Sequence, residues 1–101
     1  MGREIDKKIL PEFFESVLSK RKTFELRKDE DDIQVGDVLV LREWNAIEGY
    51  TGLAVRRVVT YVLRDAEEYG LMPGYCIIGM HPPMRNATIE DKEGIICTKT
   101  R

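Results

Sequence analysis

Two cysteines, one histidine and one tryptophan in 101 residues leave little material for metal or disulfide chemistry. Cys76 and Cys97 lack CxxC spacing, and His81 is the single imidazole, so neither a zinc cage nor a disulfide framework is indicated and no cofactor is expected. No apolar run approaches the roughly 20 residues that span a bilayer, and the N-terminus lacks the charged-then-apolar pattern of a secretory signal. The chain therefore reads as cytoplasmic, with no membrane partner. Met1-Gly2 does not make a myristoylation motif, because Asp6 stands where Ser or Thr is required. Asn86-Ala87-Thr88 matches a glycosylation sequon but reads as a loop. A basic excess is also missing: 16 Lys and Arg against 18 Asp and Glu give a net charge of -2, which argues against gripping duplex nucleic acid through many phosphates.

What is present suits one folded domain over residues 1–101, with 43% hydrophobic and 34% charged residues. Ile5, Ile9 and Leu10 around a polar centre support a short strand or an extended lead-in. Pro11 sets a helix start, since its missing N–H has no partner in a first turn, and Phe13, Phe14, Val17 and Leu18 recur on one face through Ser19. Both phenylalanines are expected in the core. From Lys22 to Lys28 the pattern becomes strict alternation, with Phe24 and Leu26 on one face and Thr23, Glu25 and Arg27 on the other. Asp29 to Asp32 reads as a solvated turn, and a hairpin-like connection leads into the strand Val38 to Trp44. Both faces of Val38 to Leu41 are apolar, which fits a strand inside a barrel or a sheet covered on both sides. Asn45 to Gly52 is a loop, and Leu53 to Leu63 is a long strand with a bulge or bend expected near Arg56-Arg57. Arg64 to Gly74 ends in a Met72-Pro73-Gly74 turn before a buried strand, Tyr75 to Met80. His81-Pro82-Pro83 stops that run, and Gly94 to Cys97 can add a late edge strand within the C-terminal stretch 81–101.

Period-two alternation puts Thr23, Glu25 and Arg27 on one strand face, with Lys22 at its entry. A nucleobase or nucleoside needs this mixture: a guanidinium fork of donors, a carboxylate that accepts from exocyclic amines, and a lysine for phosphate. Trp44, Tyr50, Tyr61 and Tyr75 offer stacking surfaces, Trp44 foremost, and Arg42 and Arg57 offer phosphate contacts. Lys20, Arg21, Lys22, Arg27 and Lys28 form one basic stretch, and Arg56, Arg57 and Arg64 lie along another. The plainer reading of the same strand is a solvated face carrying a Glu25 to Arg27 ion pair.

The runs Ile9-Leu10-Pro11-Glu12-Phe13-Phe14, Lys22-Thr23-Phe24-Glu25-Leu26-Arg27-Lys28, Val35-Gly36-Asp37-Val38-Leu39 and Leu41-Arg42-Glu43-Trp44 are similar to a phage and bacterial family, the domain of unknown function 3850. Tyr50-Thr51-Gly52, Val59-Thr60-Tyr61-Val62-Leu63 and Gly74-Tyr75-Cys76-Ile77-Ile78-Gly79 continue the resemblance, which covers residues 5–80 in order. That family is placed in the ASCH group (activating-signal-cointegrator homology) of the PUA-like superfold. The resemblance implies an α+β fold: a small PUA-like mixed β-barrel of five to six strands with one or two helices. Its cleft would lie beside the first helix, walled by the Lys-Thr-x-Glu-x-Arg strand. Ile5 stands where the family usually has histidine, and Lys7 where an apolar residue is typical.

The resemblance also implies RNA binding, and some ASCH relatives resemble amidohydrolases that remove an acyl group from a modified cytidine. In those relatives a lysine at the position of Lys22 is thought to activate a threonine at the position held here by Glu25. A carboxylate cannot form the ester intermediate of a lysine-activated hydroxyl, so Thr23 would have to substitute. Three functions follow. The first is a binding module for RNA, a nucleotide or a modified nucleoside, using Lys22, Thr23, Glu25, Arg27, Arg42, Trp44 and Arg57. The second is a protein-interaction or regulatory domain. The third is a small amidohydrolase with Lys22 as base, Thr23 as nucleophile or water-positioner and Glu25 as acid/base.

Overall fold

The computed structural model describes residues 2–83, and residues 95–97 as backbone. In chain order its elements are β1 (Glu4–Ile9), α1 (Pro11–Leu18), β2 (Phe24–Lys28), β3 (Val38–Asn45), β4 (Gly49–Leu63), a 3-10 turn (Glu67–Tyr69), β5 (Tyr75–His81) and β6 (Ile95–Cys97). A strand with apolar side chains on both faces needs neighbours on each side and cover above and below. β3 has them: β1 runs parallel along one edge and β4 antiparallel along the other, and Leu39, Val40 and Leu41 are all buried.

The sheet is mixed, in the order β1-β3-β4-β5-β2, with β6 beside β4 at Leu53, Ala54 and Val55. The late strand expected from Gly94 to Cys97 is therefore present, and it follows one edge of β4 while β5 follows the same strand from Val58 to Leu63. β4 changes neighbours at Val58, which pairs with both Val38 and His81. One register shift lies just beyond, between Val59 and Tyr61, and another lies against β3 between Tyr50 and Ala54, rather than at Arg56-Arg57, where pairing with β3 is regular. The bend belongs to the handover between neighbours, a tertiary event that composition does not mark. β1 and β2 are the two edges of the path, and no ladder joins them among the described residues. The Arg27 Nη2 nevertheless donates to the Lys8 carbonyl at 2.6 Å, bridging one edge to the other.

The helix starts as its sequence dictates. Leu10 is extended (φ -72°, ψ 152°), Pro11 opens the first turn, and the Phe13 and Phe14 amides donate to the Leu10 carbonyl at 3.0 and 2.8 Å. Phe14 and Val17 enter the core with Ile9, Leu39, Leu41, Val55 and Ile78. Phe13 does not. Adjacent helical residues point about 100° apart, so once Phe14 faces the core Phe13 falls on its margin and stays 42% exposed.

The connection from β2 to β3 is not a hairpin, because β2 pairs with β5 and β3 with β1 and β4. Residues 29–37 are pinned across the molecule instead. The Arg64 guanidinium holds the Asp29 carboxylate at 2.5 and 3.3 Å and the Ile33 carbonyl at 2.6 Å, and Ile33 is buried in the core. A buried isoleucine in the middle of the segment is incompatible with a short solvated turn. Lys7, unusual in an inward-facing β1 position, is accommodated by an ion pair with Asp31 at 2.5 Å. Cys76 is a buried thiol, pushed up first by burial and then by the Asp29 carboxylate, so it is an inert core residue. Among the described residues no helix is long and apolar enough to cross a membrane, and no cluster of metal-ligating side chains occurs. The Asn86 sequon lies outside the described residues.

Candidate ligand-binding site

Alternation alone does not decide which face of a strand turns inward. In β2 that choice is made by β5, whose Cys76 and Ile78 are buried and stand opposite Arg27 and Glu25. Directly paired residues share a face. Glu25 is therefore driven inside, 3% exposed, while Phe24 and Leu26 point out at 48% and 56%. The expected ion pair exists, but the face that carries it is not solvated. Arg27 donates from Nε to Glu25 Oε2 at 2.9 Å, with Nη2 2.7 Å from the same oxygen. The Lys22 ammonium holds Oε1 and donates to the Phe24 carbonyl at 2.7 Å.

These groups form one wall of a cavity of about 460 Å³. Ile9, Leu10 and Phe13, at the turn from β1 into α1, form the opposite side, with Lys8 at the rim. Two aromatic rings belong to the site: the Lys22 Nζ lies 5.7 Å from the centre of Phe13 and 5.0 Å from that of Phe24. The volume falls in the range of small-ligand sites, and an apolar lining around one buried charged cluster is the usual composition of such sites.

Of the seven residues expected at the site, Lys22, Glu25 and Arg27 meet in this cavity. Thr23 is exposed and lines a second, smaller depression of about 240 Å³, together with Lys22 and Arg57. Arg57 is 2% exposed, and its guanidinium donates to the Val17 carbonyl at 3.2 Å and to the Arg56 carbonyl at 2.9 Å. Arg42 and Trp44 line neither depression. Both lie on β3, between β1 and β4 rather than beside β2: Arg42 pairs with Asp6 at 3.2 Å, and the Lys8 ammonium covers the Trp44 ring at 4.3 Å from its centre. Tyr50 pairs across from Trp44, and Tyr61 and Tyr75 lie on β4 and β5, away from the larger cavity.

The aromatic surfaces that do line it, Phe13 and Phe24, are those the sequence assigned to the core and to an apolar strand face. A signal for Phe13 existed in the pair Phe13-Phe14, since neighbours about 100° apart on a helix do not both point at the centre of one core. Among the described residues no hydrogen bond joins the Lys22 amine to the Thr23 hydroxyl, and the amine is committed to Glu25 and the Phe24 carbonyl.

A search among curated proteins finds no match. A family model described as Domain of unknown function (DUF3850) matches residues 6–80. That stretch runs from β1 almost to the end of β5 and includes every residue lining the larger cavity. The chain belongs to the DUF3850 family of domains of unknown function.

Proposed function

We propose that the protein is a binding module of the PUA-like type for RNA, a nucleotide or a modified nucleoside, taking one unstacked base into the cavity between α1 and β2. The observation that carries this reading is the inversion of β2: a buried carboxylate, held by two cationic side chains, faces a small apolar space flanked by Phe13 and Phe24. Phenyl rings accept the π-face of any base. Glu25 only accepts hydrogen bonds, so it selects bases that offer an exocyclic amine, and its oxygens suit adenine, cytosine or guanine better than uracil. The cavity has no room for a duplex, in keeping with the acidic balance of the chain. The ASCH placement belongs to the same proposal. The edge-to-edge bridge from Arg27 to Lys8 supports reading the open sheet as a PUA-like barrel whose gap is the binding cleft. A cytoplasmic setting, where RNA and nucleotides are available, completes it.

Calorimetric titration with cytidine, adenosine, guanosine and uridine, and with short single-stranded RNA, tests the reading. Amino-bearing nucleosides are expected to bind with uridine weakest, and Glu25→Gln to remove the preference. Indifference of every titration to that substitution would sink the proposal.

A further inference from the structure

β2, β5 and the stretch of β4 from Val58 to Leu63 turn one face to the core and leave the other open. Directly paired residues share a face, so two rows cross the outer side: Phe24, Gly79 and Tyr61, and beside them Leu26, Ile77 and Leu63. Phe24, Leu26 and Tyr61 are all exposed. We propose that this face is a stacking track for a single-stranded nucleic acid. Nucleotides next to the base held in the cavity lie across β2 and β5, and one of their bases stacks on Tyr61. This inference rests on the base-binding reading and extends it from one nucleoside to a strand.

Three observations support a strand of bases here. The first is the bulge in β4. Val59 is buried, and strict alternation from it would turn Tyr61 inward and Val62 outward. The register shift between Val59 and Tyr61 reverses both: Val62 packs against the core and Tyr61 stands 62% exposed. Bulges re-aim side chains in this way beside ligand sites. The second is Gly79, which pairs with Phe24 on one side and Tyr61 on the other. Its φ is not positive, so the backbone alone does not call for glycine. A Cβ there would meet the Thr60 hydroxyl at 3.2 Å and the Tyr61 Cβ at 3.6 Å. Glycine thus keeps a low floor between two aromatic residues that stand two strand spacings, roughly 10 Å, apart. The third is continuity with the cavity. Phe24 and Leu26 belong both to its lining and to the outer face, so a chain leaving the cavity passes directly over β2. Glu25, the one acidic residue in these three strand segments, faces inward, and β2 presents Lys28 outward, paired with Tyr75. A polyanion crossing the face therefore meets aromatic rings and a cation, and the rings accept any base.

The test titrates cytidine, the dinucleotide CpC and longer oligocytidylates, with the deoxyribose series alongside, into wild type, Tyr61→Ala and Tyr61→Phe by calorimetry. Tyr61 is exposed and lies outside the cavity lining, so both variants are expected to keep the wild-type urea midpoint and the wild-type affinity for cytidine. In wild type the longer oligomers are expected to bind at least about tenfold more tightly than cytidine, the gain of one base stacked on an aromatic ring. Tyr61→Ala is expected to lose that gain and Tyr61→Phe to keep it. A larger gain in the ribose series assigns the track to RNA, and a larger gain in the deoxyribose series assigns it to single-stranded DNA. Equal affinities for cytidine and the oligomers in wild type, or a gain that survives in Tyr61→Ala, would overturn the track while leaving the base cavity in place. Self-association in sedimentation that Tyr61→Ala abolishes, with oligomer affinity unchanged, would give the face to a second copy of the chain and overturn the track as well. Tyr61-dependent binding of oligomers with no binding of cytidine and no response to Glu25→Gln would retain the stacking face and reject the base reading.

Discussion

Two buried carboxylates are held in opposite ways in this small fold. Asp37 and Glu25 are almost equally hidden, at 4% and 3% exposure, but they are held by different kinds of donor. Asp37 accepts from the Arg3 amide at 3.0 Å, the Gln34 amide at 2.8 Å and the Arg3 guanidinium at 3.2 Å. Its turn is closed by the Asp37 amide on the Gln34 carbonyl and by Gly36, whose φ of +97° only glycine adopts at little cost. Burial pushes the Asp37 carboxyl up, but the amide and guanidinium hydrogen bonds together hold it below the usual carboxylate value. Among the described residues Glu25 receives hydrogen bonds only from side chains, Lys22 and Arg27, and it borders a cavity. Main-chain donors cannot be withdrawn without unfolding a turn, whereas a lysine can swing away. In the proposed reading one carboxylate is therefore a fastener and the other an exchangeable acceptor.

Substitutions at the two positions should separate these roles. The largest effect is expected at Asp37→Ala, which strands the Arg3 and Gln34 amides and should cost about 3 kcal/mol of stability in a urea titration, with nucleoside affinity retained while the protein is folded. The sign of the acid response follows from the lowered folded-state pKa. The stability contributed by Asp37 is fully present above the ordinary carboxylate pKa and is lost as pH falls through the folded value. Asp37→Asn should flatten that part of an acid-unfolding curve. Glu25→Gln comes next: its stability should change by less than about 1 kcal/mol, because Lys22 and Arg27 reach solvent, while affinity for an amino-bearing nucleoside falls at least about tenfold. Equal stability losses at the two positions would erase the distinction.

Phe13→Ala should lower affinity by roughly fivefold through lost stacking, with only a small loss of stability since the ring is already half exposed. Arg42→Ala should leave affinity unchanged, because Arg42 is engaged with Asp6 away from the cavity. Arg27→Ala is a poorer probe than any of these, since its guanidinium both holds Glu25 and bridges β2 to β1.

The contrast also shows what could be read from sequence. The doubly apolar Val38 to Leu41 run placed β3 inside the sheet, Pro11 placed the helix start, and the ordered runs from Ile9 to Gly79 pointed to the family that the match over residues 6–80 establishes. Local patterns carried these because each needs only its own residues. The polarity of β2 was legible as an alternation but not as a direction, because the inward face is set by Cys76 and Ile78, about fifty residues later. For the same reason the β2–β3 connection looked like a solvated turn: Ile33 and Arg64 make it a packed crossing only once β4 and β5 are in place. Trp44, expected as a stacking surface, lines neither cavity, and the Lys8 ammonium lies over its ring.

The exchange at Glu25 is tested most directly by following backbone amide NMR signals during titration with cytidine, in wild type and in Glu25→Gln. The account predicts saturable shifts at Phe13 and from Lys22 to Arg27, none at Gln34 to Asp37, and loss of the response in the variant. Shifts centred on Arg42 and Trp44, or an undiminished response in Glu25→Gln, would contradict it.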